Sequence, residues 1–371
     1  MTTLAFHVDQ CLYPVPGGIG SYVRRLVPAL VEQDPSMQVA LFHARIPEAR
    51  PERWMRDYWI EELPGSIRQL YPRWALLQRP ALPASLGGLD LLHAPSPSAV
   101  PPPGPRQRLV VTVHDVAFLT EPETFPRQWR LMFRAGLRRA VRTADAVIAV
   151  SRHTAEDLVR RTRIDPSRVR VVPLGPSLDH TDADVDDVLH RLKVRAPYVL
   201  FAGTLEPRKN LTRLVRAYRR LVASGAPHAL VLAGPMGWHP QSLMRELEID
   251  GPGEVVLTGH VPAPDLDALY RGAAAFAYPS LYEGFGLPVL DAMARGIPCV
   301  VSTSSSLPEV AGEAAVPVDP RSTGALADAL ERVTTDAALA ARLREAGLAR
   351  AAGYSWTETA RRTLEVYKQV S

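Results

Sequence analysis

Residues 275–302 read AFAYPSLYEGFGLPVLDAMARGIPCVVS, and the fold class follows from the order of the segments within them. Two short apolar runs, Ala275–Tyr278 and Cys299–Val301, enclose a glycine-rich turn and a helical pattern. Strands that are buried on both faces read as continuous apolar runs, and a helix between two of them makes a parallel β-α-β unit. These residues therefore predict an α/β fold with a parallel sheet covered by helices.

The same alternation of apolar runs and helical patterns extends along the chain. Further strands are predicted at Leu4–Val8, Val39–Phe42, Leu89–His93, Leu109–His114, Ala146–Val150, Val169–Val172, Tyr198–Ala202, Ala229–Ala233 and Val255–Leu257. Helical patterns such as Leu211–Ala223 and Gly324–Arg332 separate most of them. The two series of strands predict two doubly wound, Rossmann-like domains.

The acidic stretch at 177–194, SLDHTDADVDDVLHRLKV, divides the two series of strands. We expect one domain over residues 1–185 and a second over residues 186–371. Trp356, Leu364 and Tyr367 recur at roughly helical spacing. A terminal helix over about residues 355–371 is therefore expected to pack back on the first domain.

The composition is that of a globular protein. Of 371 residues, 46% are hydrophobic and 22% charged, and 24 Gly with 35 Pro are too few for a low-complexity or fibrous chain. Two cysteines, Cys11 and Cys299, cannot form a disulfide framework or a cysteine-rich zinc site. The first residues lack a cationic leader followed by an apolar run, and no stretch approaches about 18 uncharged apolar residues. A cytoplasmic location is therefore expected.

Basic residues are concentrated in one region, although the net charge is only +4. Twelve Arg and four acidic residues lie between Arg127 and Arg170. The apolar residues interleaved with Arg across Arg127–Arg142 are Trp129, Leu131, Met132, Phe133 and Leu137, and a second Arg-rich stretch holds Trp54, Trp59 and Trp74. A helix over Arg127–Arg142 would be basic and amphipathic. It would either lie on an anionic membrane, here the inner membrane face, or pack its apolar side on the core and expose its basic side to solvent. No nucleic-acid-binding motif is present, so nucleic acid is not an expected partner.

Ligands of open α/β sheets bind beyond the carboxyl ends of the strands, so polar or glycine-rich residues there are candidate site residues. In the first series, Pro16–Gly20 reads PGGIG and enters a predicted helix at Ser21–Val31. Its glycines can bring backbone N–H groups close to a phosphate, but a simple turn explains them equally well. His114 and Asp115 end the strand LVVTVHD. They form either a substrate-contacting pair, with Asp115 orienting the ring, or a structural histidine.

In the second series, Glu206–Asn210 reads EPRKN between a strand and a helix. Two adjacent cations suit a diphosphate, and the alternative is a solvated charged loop. Tyr282–Pro288 reads YEGFGLP and is followed by Asp291. The spacing predicts Glu283 in the loop and Asp291 on the first turns of the next helix. Glu309 follows the strand PCVVS as a further polar group or as a helix-capping carboxylate.

The sequence contains three D-x-D matches, a pattern that metal-dependent transferases of another fold use to bind their metal. They are Asp182–Asp184, Asp184–Asp186 and Asp265–Asp267. The first two lie in the acidic connector and the third at a predicted helix start. We interpret all three as solvated charge and expect no metal site.

Taken in order, these segments resemble the retaining glycosyltransferases of family 4, which have the GT-B architecture of two Rossmann-like domains facing an interdomain cleft. The matching segments are PGGIGSY, VTVHD, AVIAVSRHTAEDL, VRVVPLG, FAGTLEPRKNL, YPSLYEGFGLPVLDAMARGIPCVVS and LPEVAGEAAVPVDP, nearly end to end. EPRKN combined with HD is similar to bacterial mannosyltransferases.

The resemblance implies a nucleoside-diphosphate sugar as donor, with GDP-mannose favoured, and no cofactor. The residues implied in donor binding are Gly17 and Gly18 at the diphosphate, Arg208 and Lys209 as its counter-charges, Glu283 and the N–H groups of Phe285, Gly286 and Leu287 at the sugar, and Asp291 at the ribose. The family usually has Glu at the position of Asp291, so a longer or water-bridged ribose contact is expected. Thr204 stands where Arg is common, and Arg208 is expected to take over that role.

For the mechanism, the resemblance implies same-face transfer with retention, without a metal and without an assigned enzyme nucleophile. His114 is expected to position the donor sugar and assist the developing charge, with Asp115 and Glu309 in support. The implied acceptor is a saccharide, a lipid-linked saccharide at the inner membrane face or a secondary metabolite. Two alternatives remain: a nucleotide-sugar epimerase of the same architecture, and an inactive sugar-nucleotide-binding protein.

Overall fold

The computed structural model describes residues 2–371, which divide into two compact units. Unit 1 ends at Gly175 and takes up Ser355–Ser371, and unit 2 comprises Pro176–Tyr354. Unit 1 thus ends ten residues before the predicted limit at residue 185. The reason is that the connector is bonded to unit 2: the backbone N–H and the hydroxyl of Thr181 donate to Asp267 Oδ2, at 3.1 and 2.9 Å.

Strands and α-helices alternate along both units. The strands are β1 (Thr3–His7), β2 (Gln38–Arg45), β3 (Trp59–Ser66), β4 (Leu91–Ala94), β5 (Arg108–Val113), β6 (Ala146–Ala149), β7 (Val169–Val171), β8 (Tyr198–Ala202), β9 (Ala229–Ala233), β10 (Val255–Gly259), β11 (Ala275–Tyr278), β12 (Cys299–Ser302) and β13 (Ala315–Val318). The helices are α1 (Gly17–Gln33), α2 (Ile67–Leu77), α3 (Ala84–Gly87), α4 (Ala117–Thr120), α5 (Arg127–Thr143), α6 (Arg152–Arg161), α7 (Val185–Arg191), α8 (Leu211–Ala223), α9 (Gln241–Glu248), α10 (Ala263–Gly272), α11 (Leu287–Met293), α12 (Leu307–Ala311), α13 (Thr323–Thr335), α14 (Ala337–Ala352) and α15 (Trp356–Val370). Short 3₁₀ segments lie at Asp9–Leu12, Arg53–Asp57, Pro122–Thr124, Pro166–Arg168 and Pro207–Lys209.

Each unit is built on one parallel sheet. The strand order is β3-β2-β1-β4-β5-β6-β7 in unit 1 and β10-β9-β8-β11-β12-β13 in unit 2. The central strands β8 and β11 are buried along their full length, which explains their continuous apolar sequences. The order reverses between β1 and β4 and between β8 and β11, and ligands of such sheets bind beside this switch point. The predicted pair of doubly wound domains is confirmed.

The two strands that the sequence pattern did not predict both lie at a sheet edge. Strand β3 has β2 as its only partner, and its sequence WIEELPGS carries two acidic residues. Strand β13 pairs with β12 alone and contains Pro317. An edge strand leaves one row of backbone groups unpaired and tolerates Pro and charged residues. The two acidic residues interrupt the apolar run of β3, and Pro317 interrupts that of β13.

Helix α5, which covers the first part of the arginine-rich region, is buried in its C-terminal part and exposed in its N-terminal part. Its C-terminal part is core, with Leu137, Ala140 and Val141 buried. Its N-terminal part is exposed at Leu131, and α2 packs beside it with Leu76 and Leu77 exposed at its end. No helix within residues 2–371 is long and apolar enough to cross a membrane.

The three Trp of the second arginine-rich stretch do not share one environment. Trp74 is buried and donates its indole N–H to the Pro80 carbonyl at 3.1 Å. Trp54 donates to Glu52 Oε2 at 2.9 Å, and Trp59 is about half exposed on β3. They therefore do not form a single aromatic surface.

The terminal helix α15 belongs to unit 1 and packs along α1. Leu364 and Tyr367 are buried, and Trp356 is half-buried. The hydroxyl of Thr359 donates to the Pro173 carbonyl at 2.8 Å. The last helix of the chain therefore completes the core of the first unit.

Candidate active site

The loops that follow β8 and β11 lie side by side at the switch point of unit 2. Strand β8 leads into the 3₁₀ turn Pro207–Lys209, and β11 leads into the loop of Glu283. The two strands are hydrogen-bonded neighbours, so their carboxyl ends place both loops at one sheet edge. The structure thus brings together Arg208, Lys209 and Glu283, although Glu283 lies 75 positions after Arg208 in the sequence.

Glu283 is the centre of this cluster. Lys209 Nζ donates to Glu283 Oε1 at 2.6 Å, and Arg208 Nη1 donates to Glu283 Oε2 at 2.8 Å. Lys209 Nζ also donates to the Tyr278 hydroxyl at 2.6 Å and lies 4.9 Å from the centre of that ring. An ammonium carries three protons, and no third acceptor lies within residues 2–371. One Lys209 proton is therefore available to a ligand.

A second carboxylate, for which the sequence analysis assigned no role, holds the other side of Arg208. Arg208 Nη2 donates to Glu206 Oε1 at 2.6 Å, while Nη1 also donates to the Tyr282 carbonyl at 2.7 Å. Glu206 opens the EPRKN segment, and its position before a turn was the only signal for it. Two carboxylates and two cations give the cluster a formal charge of zero.

Burial and charge act against each other on these groups. Burial opposes ionisation of Glu283, but Arg208 and Lys209 together lower its pKa to about 2. Burial lowers the pKa of Lys209, Glu283 raises it, and Arg208 lowers it further. The site therefore holds an ionised carboxylate and desolvated cations, whose interactions with a ligand are stronger than they are in water.

Asn210 explains why the EPRKN loop takes this shape. Its backbone is left-handed, at φ 60°, a conformation that Asn tolerates better than most residues. Its amide donates to the carbonyls of Pro279 and Pro320, at 3.1 and 2.6 Å. The Leu281 N–H donates to the Arg208 carbonyl at 2.8 Å. The two loops are therefore connected by backbone as well as by side chains.

Two serines that the sequence analysis missed support the Glu283 loop from the next strand. Ser305 Oγ accepts the Glu283 N–H at 2.7 Å, and Ser306 Oγ donates to the carbonyls of Glu283 and Phe285, at 2.9 and 3.0 Å. Both follow β12, the neighbour of β11, in a run of serines at 302–306 broken only by Thr303. Their place after a strand was the signal that could have identified them.

The turn YEGFGLP presents backbone donors at the same edge. Gly286 has φ 110°, a conformation that residues with a side chain rarely adopt. The N–H groups of Phe285, Gly286 and Leu287 have no acceptor within residues 2–371. These are the amides that the resemblance places at the donor sugar.

Asp291 makes a different set of contacts from Glu283. Its Oδ1 accepts the N–H groups of Ser177 and Leu178, at 2.7 and 3.1 Å, and its Oδ2 accepts the Ser177 hydroxyl at 2.5 Å. Burial raises the pKa of Asp291, although these bonds oppose the shift. Both oxygens thus bind the connector within unit 2, and the ribose contact remains a prediction that would use the same carboxylate.

In unit 1, the glycines of PGGIG begin α1, which starts at Gly17, four residues before the predicted start. Gly17 has φ 63°, where a side chain would be strained, and a Cβ at Gly17 or Gly18 would meet no atom within 4 Å. The first turn of this 17-residue helix therefore presents its backbone to open space. Such a helix start favours an anion.

His114 is packed against the same helix. Its Nε2 lies 3.0 Å from the Pro95 carbonyl, and its ring meets Tyr22 of α1 edge-on at 4.9 Å. Burial lowers the pKa of His114 to about 4, although Asp115 and Pro95 oppose the shift. The ring is therefore neutral at pH 7, and its Nε2–H donates to Pro95.

Asp115 and Glu309, the two carboxylates expected to support His114, each lie at or just before the start of a helix. Asp115 Oδ1 accepts the N–H of Ala117 at the start of α4, at 2.9 Å, and the His114 ring donates to the Pro95 carbonyl rather than to Asp115. Glu309 lies in the first turn of the five-residue helix α12 and is half-buried. Its backbone carbonyl accepts a bond from Arg350 at 2.5 Å.

The interpretation of all three D-x-D matches as solvated charge is wrong for the last one. Asp267 is fully buried and forms ion pairs with Arg271, at 2.9 Å, and Arg295, at 2.7 Å. Its position inside α10 directs it to the core, while Asp265 pairs with Arg191 at the surface. Asp184 accepts the Asp187 N–H at the start of α7.

Both halves of the chain match known families. Residues 16–180 match the family model described as "Glycosyltransferase Family 4", and residues 185–350 match the one described as "Glycosyl transferases group 1". The O-antigen chain mannosyltransferase B of Escherichia coli is 33% identical over 268 residues, which is 71% of this chain and 70% of that protein.

Two solved structures share the fold over the full length. Sucrose-phosphate synthase from Thermosynechococcus elongatus superposes with a TM-score of 0.75 at 21% identity, covering 100% of this chain and 99% of that one. HepE from Anabaena, in complex with UDP and glucose, superposes with a TM-score of 0.73 at 19% identity, covering 99% and 100%. With two GT-B sheets and family matches to both halves, the chain belongs to glycosyltransferase family 4.

Proposed function

We propose that this glycosyltransferase moves a hexose from a nucleoside-diphosphate sugar, with GDP-mannose favoured, to a saccharide or lipid-linked acceptor with retention. The observation that carries the proposal is the buried cluster of Arg208 and Lys209 on Glu283 at the switch point of unit 2. The Escherichia coli mannosyltransferase and the structure that holds UDP and glucose support a sugar nucleotide as donor. Relatives named as transferases favour this function over an epimerase or an inactive binding protein.

The cations of the cluster suit the leaving group. When the bond between the sugar and the diphosphate breaks, negative charge develops on the diphosphate. Arg208 and the free ammonium proton of Lys209 are already desolvated and fixed, so they can stabilise this charge without reorganisation. Because these groups supply positive charge at the leaving group, we propose that transfer needs no metal. Unchanged turnover after chelation with EDTA is the expected result, and loss that Mg²⁺ restores would contradict it.

Glu283 and the loop amides suit the sugar. A carboxylate whose pKa is about 2 is ionised at neutral pH and accepts hydrogen bonds from sugar hydroxyls. Its bonds to Arg208 and Lys209 fix its orientation. The N–H groups of Phe285–Leu287 add donors from the same loop. Hydroxyl donors and acceptors of a hexose thus find partners next to the cations that bind its phosphates.

For Gly17, Gly18 and His114, we propose the roles that the family resemblance implies. The glycine amides at the start of α1 are proposed to contact the diphosphate. The neutral His114 ring is proposed to position the donor sugar. We assign no enzyme nucleophile and propose attack on the same face of the anomeric carbon.

For the acceptor, we propose that unit 1 contacts an anionic membrane surface through α2 and α5. Leu76, Leu77 and Leu131 are 71%, 66% and 69% exposed. Neither helix carries an acidic residue, and the exposed arginines on them are Arg68, Arg73, Arg127, Arg134, Arg138 and Arg142. Exposed leucines beside unopposed arginines are typical of proteins that lie on anionic lipid. A lipid-linked acceptor would be presented at such a surface.

The donor can be identified by a thermal-shift screen of GDP-, UDP-, ADP- and dTDP-sugars, followed by a transfer assay with the best ligand. A ligand that binds only the native state raises the apparent melting temperature. We expect GDP-mannose to give the largest shift and Arg208→Gln to lose most of it. A larger shift with another base would reassign the donor, and no shift with any sugar nucleotide would contradict the proposed function.

A further inference from the structure

A chain of buried hydrogen bonds crosses unit 1 from the last helix to the first. Tyr367 of α15 bonds His93 Nδ1 of β4 at 2.5 Å, and His93 Nε2 bonds Thr112 Oγ1 of β5 at 2.8 Å. The Tyr22 hydroxyl of α1 completes the chain at 2.9 Å from Thr112 Oγ1. All four side chains are buried. Four elements of the unit are therefore held together by one polar chain.

The direction of the chain follows from its donors and acceptors. His93 Nδ1 is the one acceptor for the Tyr367 hydroxyl within residues 2–371, so Tyr367 donates. Burial, with a smaller contribution from His114, lowers the pKa of His93 to about 3, and its ring is neutral. A neutral ring that accepts at Nδ1 donates at Nε2, here to Thr112. Every buried polar atom of the chain then has a partner, as stable cores require.

Tyr22 connects this chain to the predicted donor-binding elements. It lies four residues after Gly18 on α1, so it stands about one turn from the glycine amides. Its ring meets the His114 ring edge-on, at 4.9 Å and 84°. Its hydroxyl bonds Thr112, which lies two residues before His114. One side chain thus contacts the helix, the strand and the histidine that the function uses.

We propose that Tyr22 is a positioning residue for glycosyl transfer, which fixes the Gly17–Gly18 turn relative to His114 and is itself anchored through Thr112 and His93 to Tyr367 of the terminal helix. The proposal rests on the proposed function in one respect, namely that the Gly17–Gly18 turn and His114 act on the donor. The positioning of the turn and of His114 by Tyr22 does not depend on that action.

The Tyr22 ring also packs edge-on against the His114 ring. The titratable groups that face this ring are Asp115 on its own segment, His93 on β4 and Tyr22 on α1. Asp115 favours the protonated form, yet burial dominates and lowers the pKa of His114 to about 4. A smaller apolar residue at position 22 admits water, so the pKa of His114 should rise toward its ordinary value of about 6.5.

The first test measures kcat and KM for Tyr22→Phe, Tyr367→Phe and the double variant, with GDP-mannose or the donor that the thermal screen selects. We expect each single variant to lower kcat roughly tenfold with KM changed less than about twofold, because a small displacement of aligned groups acts on the chemical step. The double variant should be no slower than the slower single one, because both changes break the same chain.

Tyr198→Phe is the matched control. In the wild type, the buried Tyr198 hydroxyl donates to the Leu269 carbonyl at 2.6 Å. Tyr198 lies at the amino end of β8, at the opposite edge of the unit 2 sheet from Arg208, Lys209 and Glu283. It should lower the melting temperature and leave kcat unchanged. Unchanged kcat in Tyr22→Phe, or losses that multiply in the double variant, would overturn the proposal.

The second test needs no activity and therefore separates this inference from the proposed function. His114 is titrated by NMR in the wild type, in Tyr22→Phe and in Tyr22→Leu, with the His114→Gln spectrum identifying its signal. We expect a pKa near 4 in the first two proteins and a rise of at least one unit in Tyr22→Leu. An unchanged pKa in folded Tyr22→Leu would overturn the positioning by Tyr22. Normal turnover of His114→Gln would instead overturn the role of His114 and leave the titration result in place.

Discussion

Lys209 Nζ lies 2.6 Å from Glu283 Oε1, although 74 positions separate the two residues in the chain and both side chains are more than nine-tenths buried. A buried pair of this kind stabilises the protein little compared with apolar residues, but loss of one partner leaves the other charge unpaired. The pair is placed at the switch point, where ligands of doubly wound sheets bind. Its position therefore fits the proposed role in donor binding, which the following variants test.

Glu283→Gln should abolish sugar transfer and leave the fold intact. The amide keeps the shape of the side chain but removes the charge that Arg208 and Lys209 share, and it cannot accept two charge-assisted bonds in the same way. We expect kcat to fall at least a hundredfold, and the free energy of unfolding to fall by about 3 kcal/mol. Turnover is measured by transfer of labelled sugar, and stability by urea denaturation.

Glu246→Gln separates the catalytic from the structural effect of that change. Glu246, on α9, is also a buried Glu of unit 2 with two arginine partners on α8, Arg216 at 2.6 Å and Arg219 at 3.3 Å. We expect a comparable loss of stability with kcat close to the wild type. Near-normal turnover in Glu283→Gln would remove Glu283 from the mechanism.

Arg208→Gln should weaken binding of a nucleoside diphosphate more than binding of the monophosphate. A charge-assisted hydrogen bond contributes about 1.5–3 kcal/mol, so a loss of affinity of about tenfold or more is expected for GDP. GMP lacks the second phosphate, and its affinity should change little. Isothermal titration calorimetry with both ligands gives the comparison. Equal losses for GDP and GMP would mean that Arg208 does not bind the second phosphate.

Glu283 should make the stability of the protein depend on pH in the acid range. Its pKa is about 4.5 when unperturbed and about 2 in the folded protein, so its stabilising contribution is present above about pH 5 and is lost as the pH falls toward 2. Between pH 5.5 and 3 this loss amounts to about 2 kcal/mol. The difference in unfolding free energy between wild type and Glu283→Gln should shrink by that amount over this range.

Glu358 is the control for this pH effect. The exposed pairs with Arg361 and Arg362 lower the pKa of Glu358 to about 2 as well. Salt screens exposed charges far more than buried ones. High salt should therefore reduce the contribution of Glu358 and leave that of Glu283 almost unchanged. A contribution of Glu283 that disappears in salt would show that the carboxylate is solvated.

The sequence alone was sufficient to predict the elements that lie at the centre of the sheets. Strands β8 and β11 are apolar throughout because both faces are covered, and the helix at Leu211–Ala223 was predicted at its observed bounds. The edge strands β3 and β13 lack an unbroken apolar run, because two acidic residues interrupt β3 and Pro317 interrupts β13. Burial on both faces, rather than strand propensity, was the property that the sequence revealed.

For the site, the sequence indicated which loops meet but not how the side chains pair. Arg208, Lys209 and Glu283 follow neighbouring strands, so their proximity could be predicted. The contacts of Asp291 could not, because its partners Ser177 and Leu178 lie 114 and 113 positions away in an irregular connector. The bond between His93 and Tyr367 spans 274 positions and depends on where the terminal helix packs. Such long-range partners have no local sequence pattern.

Asp291→Asn should lower stability through the connector. The amide oxygen of Asn can still accept the backbone N–H groups at the Oδ1 position, but the amide nitrogen then replaces the oxygen that accepts the Ser177 hydroxyl. The buried bond from that hydroxyl is lost in its present direction, and the remaining bonds lose their charge. We expect the free energy of unfolding to fall by about 2 kcal/mol. Ser177→Ala removes only the hydroxyl and should cost about half as much. Affinity for GDP, measured on both variants, tests the ribose contact: a loss confined to Asp291→Asn would support it.

Arg134→Gln combined with Arg138→Gln should release the protein from anionic vesicles. Each arginine near such a surface contributes about 1 kcal/mol, so the pair should lower partitioning about thirtyfold at low salt. Cosedimentation with phosphatidylcholine vesicles, with and without phosphatidylglycerol, measures the effect. Wild type should bind only the anionic vesicles and should dissociate at high salt, because the attraction is screened within a Debye length.

Two further variants decide whether α2 and α5 form the contact. Leu76→Asn with Leu77→Asn removes exposed apolar surface without a change in charge, and it should weaken binding in a way that salt does not mimic. Arg342→Gln with Arg344→Gln makes the same change in charge as the first pair, but on α14 of unit 2, where both arginines are exposed. If the α14 pair lowers vesicle binding as much as the α5 pair does, the attraction between protein and vesicle depends on net charge alone. In that case the leucines of α2 have no part in it, and the acceptor need not be presented at a membrane.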